Sequence, residues 1–237
     1  MSDINCDMGE GVGNEAQLMP YINSANIACG YHAGDIETMH EVIQLCLQHN
    51  VHIGAHPSFL DKENFGRTEM QLPLPDIYSL VTDQLNTITT VIKENGGKLH
   101  HVKPHGALYN MAAKDERIAY TIAKAIKDFD SSLIYYGLSG SVMIRIAKEE
   151  GLQTADEVFA DRTYQNDGSL TPRTQPNALL LDKDAVIAQV KKFVNENKVI
   201  TISGEEIFVS AGTICIHGDG AYADEFAKAI YQTLHEK

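Results

Sequence analysis

Short apolar runs rich in β-formers recur along the chain at 4–6, 25–29, 51–55, 99–103, 133–136 and 213–217. Between them, apolar residues return with the 3.6-residue period of amphipathic helices. Met39, Val42, Ile43 and Cys46 share one face of the first helical stretch, which Asp35 is positioned to cap. Ile77, Leu80, Val81, Ile88, Val91 and Ile92 mark a second, ended by Gly96-Gly97. Ile118, Ile122, Ile126 and Phe129 mark a third, and Val186, Ile187, Val190, Phe193 and Val194 a fourth. Ala223, Phe226, Ala227, Ile230 and Leu234 mark the last. These faces are the expected core. Segments 198–202 and 207–209, parted by Ser203-Gly204-Glu205-Glu206, read as a hairpin inserted before the final strand. Strand and helix in alternation make a parallel sheet. Whether it closes into a barrel or stays open and doubly wound, ligands gather at the C-terminal ends of its strands.

Ionisable residues fall in that place again and again. The strand ends read Asn5-Cys6-Asp7-Met8-Gly9-Glu10-Gly11, Ala28-Cys29-Gly30-Tyr31-His32-Ala33-Gly34-Asp35 and Gly54-Ala55-His56-Pro57-Ser58. The others are Val102-Lys103-Pro104-His105-Gly106-Ala107, Phe159-Ala160-Asp161-Arg162 and Ile216-His217-Gly218-Asp219-Gly220. One His or Asp after a strand is ordinarily a cap or turn residue. Six such ends aimed at one rim point to a site. Asp7, Glu10, His56, Lys103 and His105 are the candidate catalytic groups; His32, Asp35, Asp161, Arg162, His217 and Asp219 are the candidate substrate-binding groups.

Asp7 leaves the first strand directly and is the expected general acid/base or magnesium-contacting carboxylate. Lys103, isolated between an apolar strand and Pro104-His105, has little to pair with in the sequence and is expected to meet phosphate or a developing oxyanion. Arg162 offers a planar fork to a carboxylate, with Asp161 as its orienter or merely a loop ion pair, and Arg67 is a rival for the same task. Glu10 lies in a glycine-rich turn that resembles no Walker A loop, so any ATP site here lacks a P-loop. His52 and His56, like His101 and His105, are four residues apart, about 13 Å along a strand at 3.3 Å per residue and too far for one ion. No metal ligands are therefore assigned. Zinc held by Asp7, His32 and His56 from different strands stays open by analogy with deacetylase barrels.

Composition narrows the partners. The chain's 237 residues suit one domain spanning 1–237. Its 32 acidic against 19 basic residues give a net charge of −13, which repels nucleic acid and anionic lipid. No apolar run approaches the ~20 residues of a membrane-spanning helix, and the N-terminal residues lack the pattern of a signal peptide, so a cytoplasmic protein is expected. The four scattered cysteines, Cys6, Cys29, Cys46 and Cys215, fit reduced thiols.

The strand-end motifs, together with Asn26-Ile27 before Ala28 and Leu108-Tyr109 after Ala107, closely resemble the LamB/YcsF (lactam utilisation) family from first strand to last. Tyr31, where Phe is common, is one small departure. The resemblance implies an α/β fold, an irregular seven-stranded β/α barrel related to polysaccharide-deacetylase and glycoside-hydrolase barrels. It also implies ATP-driven opening of 5-oxoproline to glutamate as the A subunit of a 5-oxoprolinase, together with subunits B and C, with magnesium accompanying the nucleotide. Two other readings remain: a metal-dependent, deacetylase-type amide hydrolase needing no ATP, and a non-catalytic subunit that presents 5-oxoproline to its partners.

Overall fold

The computed structural model describes residues 3–220 and 222–235; Met1 and Ser2, the start of the stretch read for targeting, lie outside them. In chain order the elements are β1 (Asp3–Met8), α1 (Glu15–Leu18), β2 (Ser24–Ala28), α2 (Ile36–His49), β3 (His52–His56), α3 (Leu74–Glu94) and β4 (Leu99–Val102). They continue as α4 (Gly106–Ala112), α5 (Glu116–Phe129), β5 (Ile134–Leu138), α6 (Val142–Glu149), β6 (Gln153–Phe159) and α7 (Lys183–Glu196). The last are β7 (Lys198–Ile200), β8 (Glu206–Phe208), β9 (Thr213–His217) and α8 (Ala223–His235). Seven strands, all parallel, close in the order β1-β2-β3-β4-β5-β6-β9, so the sheet is a barrel and not an open one. β7 and β8 pair antiparallel outside it as the expected hairpin.

The five helices read from apolar periodicity are all present, and Asp35 caps α2 by accepting the Thr38 N–H at 2.9 Å. Helices α4 and α6 carry too few apolar repeats to show a period. Strand β6 escaped notice except at its end, because Gln153, Thr154, Ala155 and Asp156 are exposed or half-buried and make no apolar run. No helix of the described residues is long and apolar enough to cross a membrane.

Side chains alternate between two buried environments. One set, including Ile4, Cys6, Ile27, Ile53, Val102, Val158 and Ile214, joins the apolar core shared with the helices. The other set fills the barrel with polar groups. Asn5 Nδ2 donates to Thr213 Oγ1 and Asn26 Nδ2 to Asn5 Oδ1, both at 2.7 Å, and His101 Nε2 donates to Asn26 Oδ1 at 2.8 Å. The His101 ring stacks on Tyr136 with centroids 4.1 Å apart. A Cβ at Gly54 would fall 2.1 Å from His101 Nε2, so only glycine leaves that imidazole its room.

Burial, reinforced by His100, His52 and Lys103, holds His101 well below the ordinary imidazole value of 6.5. Below that pH the unfolded chain takes up a proton that the folded chain refuses, so stability is lost as pH falls from 6.5 toward 5 and regained above it. Replacing His101 with Gln should reduce the slope of unfolding free energy against pH in this window by up to one proton, about 1.4 kcal/mol per pH unit. Urea denaturation at several pH values reads this slope, and equal slopes in the two proteins would mean His101 titrates normally.

Candidate active site

The barrel opens at the C-terminal ends of its strands into a cavity of about 480 Å³ whose walls include Asp7, His56, Lys103, His105, Arg162 and His217. A second hollow of about 400 Å³, beside His52, Lys98, His100 and Gln153, sits at the strands' N-terminal ends and carries none of the candidate site groups.

Lys103 forms the floor, and it is not free. Its buried ammonium donates to Asp7 Oδ1 at 2.8 Å and Asn5 Oδ1 at 3.3 Å and lies 2.9 Å from Glu157 Oε1. Glu157 also accepts the Tyr109 hydroxyl at 2.6 Å. Burial alone would lower the lysine's pKa, but Asp7 and Glu157 outweigh it and hold the group well above its usual value. The expectation of an unpaired lysine failed because its partners come from strands remote in sequence. Glu157 was missed altogether, and its one signal was a carboxylate set immediately before the apolar end of a strand.

Above the lysine, the two leading carboxylates differ in kind. Burial favours the neutral form of Asp7, but His56 and Lys103 prevail and hold it well below the carboxylate range. Glu10 is pushed well above that range, by burial first and then by Asp7 and Asp219. Both reach one imidazole nitrogen: His56 Nε2 lies 3.4 Å from Asp7 Oδ2 and 3.9 Å from Glu10 Oε1. A carboxylate held low on the cavity wall and another held high behind its His56 are the usual makings of paired base and acid.

Three histidines surround Glu10. Its Oε1 is 3.0 Å from His32 Nε2 and 3.4 Å from His105 Nδ1. The His32 and His105 rings stack with centroids 3.8 Å apart, and His105 Nδ1 faces His56 Nε2 at 2.9 Å. Burial pulls His32 down to about 2 and His105 well below its ordinary value. Within-strand spacing argued against a shared ion, yet the grouping bypasses that objection. His105 lies beyond β4, as the residue before α4, and meets His56 across strands, while His101 and His52 point elsewhere.

The remaining candidates divide. His217 Nδ1 lies 2.9 Å from both oxygens of Asp161, whose pKa stays low because His217 and Arg162 overcome its burial. Arg162 lines the cavity but spends Nε on Ala178 O and Nη2 on Thr171 O, so its fork is partly occupied by backbone. Asp35 is an exposed helix cap rather than a lining group, and Asp219 pairs with Arg67 at 2.7 Å. Lys114 and Arg173 line the cavity as well, though neither was singled out in the sequence; both lie in loops that only the fold brings to the mouth.

The family model for LamB/YcsF matches residues 2–237. The chain belongs to that family. The A subunit of 5-oxoprolinase from Shouchella clausii is 51% identical over 233 residues, 96% of this chain and 92% of the relative. Its counterpart of the same name from Tolumonas auensis is 49% identical over 237 residues, covering 98% and 94%. The crystal structure of a lactam utilization protein from Thermus thermophilus superposes with a TM-score of 0.91 at 38% identity, covering 98% of this LamB/YcsF chain and 95% of that one.

Removing one partner of a buried ion pair leaves its counter-charge stranded, at a cost of about 3–5 kcal/mol. Lys103→Met should destabilise the fold on that scale, and adding Glu157→Gln should restore part of the loss by removing a stranded carboxylate. Denaturant midpoints of the single and double variants measure this. A Lys103→Met protein as stable as the parent would show the ammonium to be solvated rather than paired.

Proposed function

We propose that this chain is the lactam-opening A subunit of an ATP-dependent 5-oxoprolinase, converting 5-oxo-L-proline to L-glutamate together with subunits B and C. The observation that carries the reading is near-full-length identity of about one half to proteins bearing that name, joined by an Asp7 held below and a Glu10 held above the carboxylate range.

A lactam carbonyl is protected by amide resonance, so opening it needs activation, a directed water and a proton for the leaving nitrogen. ATP, with its magnesium, supplies the activation: transfer of its γ-phosphoryl group to the amide oxygen releases ADP and leaves an electrophilic carbon. Asp7 takes the proton of a water adding at that carbon. Glu10 gives a proton to the ring nitrogen as the carbon–nitrogen bond breaks. The product of that break is an acyl phosphate, and a second water converts it to glutamate and phosphate. Lys103 serves here by keeping Asp7 ionised rather than by touching phosphate.

The cavity suits an anion. Against a net charge of −13, its walls gather Arg67, Lys114, Arg162 and Arg173 beside the already paired Lys103 and, among the described residues, only two acids, Asp7 and Glu69. The partly free Arg162, with His217 oriented by Asp161, is suited to the substrate carboxylate. No P-loop is present in the sequence, so nucleotide held by this chain would rest on side chains of the rim.

The purified chain mixed with subunits B and C should form glutamate and ADP in step from 5-oxoproline and ATP, while the chain alone should form little glutamate. Lactam opening by the chain alone without ATP would replace this reading with a deacetylase-type amide hydrolase. In the assembled enzyme Asp7→Asn, which retains an oxygen to accept from Lys103 and Asn26, should lower kcat at least ~100-fold. A folded variant with near-normal kcat would remove Asp7 from the role of base.

A further inference from the structure

Two groups of potential ligand atoms meet at the cavity, and they differ in what neutralises them. Asp7, Cys215 and His217 form one group. Its cation is already present, because Lys103 Nζ lies 2.8 Å from Asp7 Oδ1 and 3.0 Å from Cys215 Sγ. Glu10, His32, His56 and His105 form the other, with one ligand atom from each and all four within 4.8 Å of one another. Among the described residues Glu10 has only histidines as ion-pair partners, and no lysine or arginine.

Hydrogen bonding fixes which way the second group faces. His56 Nδ1 is 2.7 Å from the carbonyl of Lys103, and a carbonyl only accepts, so this nitrogen carries the proton. His105 Nε2 is held likewise by the carbonyl of Phe65 at 2.9 Å. The Ser58 hydroxyl donates to Phe59 O at 2.9 Å, so its oxygen accepts from His32 Nδ1 at 2.8 Å. In its neutral form each ring therefore spends its one N–H on an outer partner and turns its lone pair inward. Three lone pairs converge with Glu10 Oε1, and two of them, His56 Nε2 and His105 Nδ1, face each other across 2.9 Å.

Facing lone pairs repel unless something positive lies between them. Anchoring of the far ring nitrogen is also what orients metal-ligating histidines. Four ligands at 2.0–2.2 Å around a tetrahedral ion sit roughly 3.3–3.6 Å apart, close to the 3.0 and 3.4 Å separations from Glu10 Oε1 to the two stacked rings.

We propose that Glu10 Oε1, His32 Nε2, His56 Nε2 and His105 Nδ1 bind one divalent first-row transition ion of the zinc class. Three imidazoles and one carboxylate suit zinc, cobalt or nickel better than magnesium, which takes oxygen ligands in octahedral geometry. Bound there, the ion would supply a Lewis acid beside Asp7. Binding needs Glu10 ionised, so a filled site would take from Glu10 the role of acid given to it above. The site is separate from the magnesium that accompanies ATP and does not depend on the substrate.

The test uses the purified chain, stripped with chelator, without substrate, nucleotide or partners. Zn²⁺ titrated against a chromophoric competitor should fill one equivalent, and Co²⁺ should give the visible absorption of four-coordinate cobalt, while Mg²⁺ displaces neither. X-ray absorption of the zinc-loaded chain should show nitrogen and oxygen neighbours at ~2.0–2.1 Å with imidazole scattering behind them. His32→Ala and His105→Ala should each weaken Zn²⁺ binding at least ~100-fold, more than the loss of an outer partner costs. The absorption measurement on the unmutated chain decides the matter if either variant fails to fold. No uptake of Zn²⁺ or Co²⁺, or a proton seen by NMR between His56 and His105 that persists with Zn²⁺ present, would overturn the proposal. Because no turnover is measured, failure here would leave the 5-oxoprolinase reading standing, and failure of the turnover test would leave the metal site standing; success here would remove only the acid's role from Glu10.

Discussion

An ammonium group sealed inside a closed barrel must be neutralised where it stands, and the site is organised around that requirement. Lys103 follows β4, Asp7 belongs to β1 and Glu157 to β6, and none of these strands adjoins another of the three in the barrel. The ion pairs therefore cross the lumen and tie together strands that share no backbone hydrogen bonds. Burying such charges is costly, and a hydrophobic filling would serve stability as well or better. What the lysine provides instead, together with His56, is an Asp7 whose pKa stays well below the carboxylate range despite its burial.

The same economy of partners appears one layer higher. Backbone carbonyls of Lys103 and Phe65, with the Ser58 hydroxyl, each anchor one ring nitrogen of three imidazoles. The loop carrying Phe65 must come very close to do so: a Cβ at Gly66 would lie 2.9 Å from both His105 Cδ2 and His32 Cβ, and its φ of +66° also demands glycine. Histidines placed so firmly, beside a carboxylate whose own pKa is raised, form a preorganised polar centre rather than a set of flexible surface groups.

Charge outside and inside the cavity is unlike. A molecule of net charge −13 repels small anions at a distance, yet the mouth of the cavity gathers Arg67, Lys114, Arg162 and Arg173. Low-dielectric walls focus such a field. The anionic substrate proposed for this cavity would therefore meet a local placement of a few guanidinium and ammonium groups that runs against the trend of the whole surface.

The sequence by itself determined the five periodic helices, the hairpin and the strand ends. Helix faces such as Met39 to Cys46 repeat every 3.6 residues, and Asp7, His32, His56, Lys103, His105 and His217 each follow an apolar run at the place where ligands gather in parallel sheets. It also held a further signal. Asp3-Ile4-Asn5-Cys6-Asp7-Met8 alternates polar and apolar residues without a break, which in an open sheet means one face toward water. Closure of the barrel decided otherwise: the polar face became an interior, and Asn5, Asn26, His101 and Glu157 had to find partners there. Periodicity reports which residues share a face but not what covers that face. Nor does spacing along one strand report distance across the lumen, so the meeting of Glu10, His32, His56 and His105, and of Lys103 with Asp7 and Glu157, belonged to the tertiary structure alone.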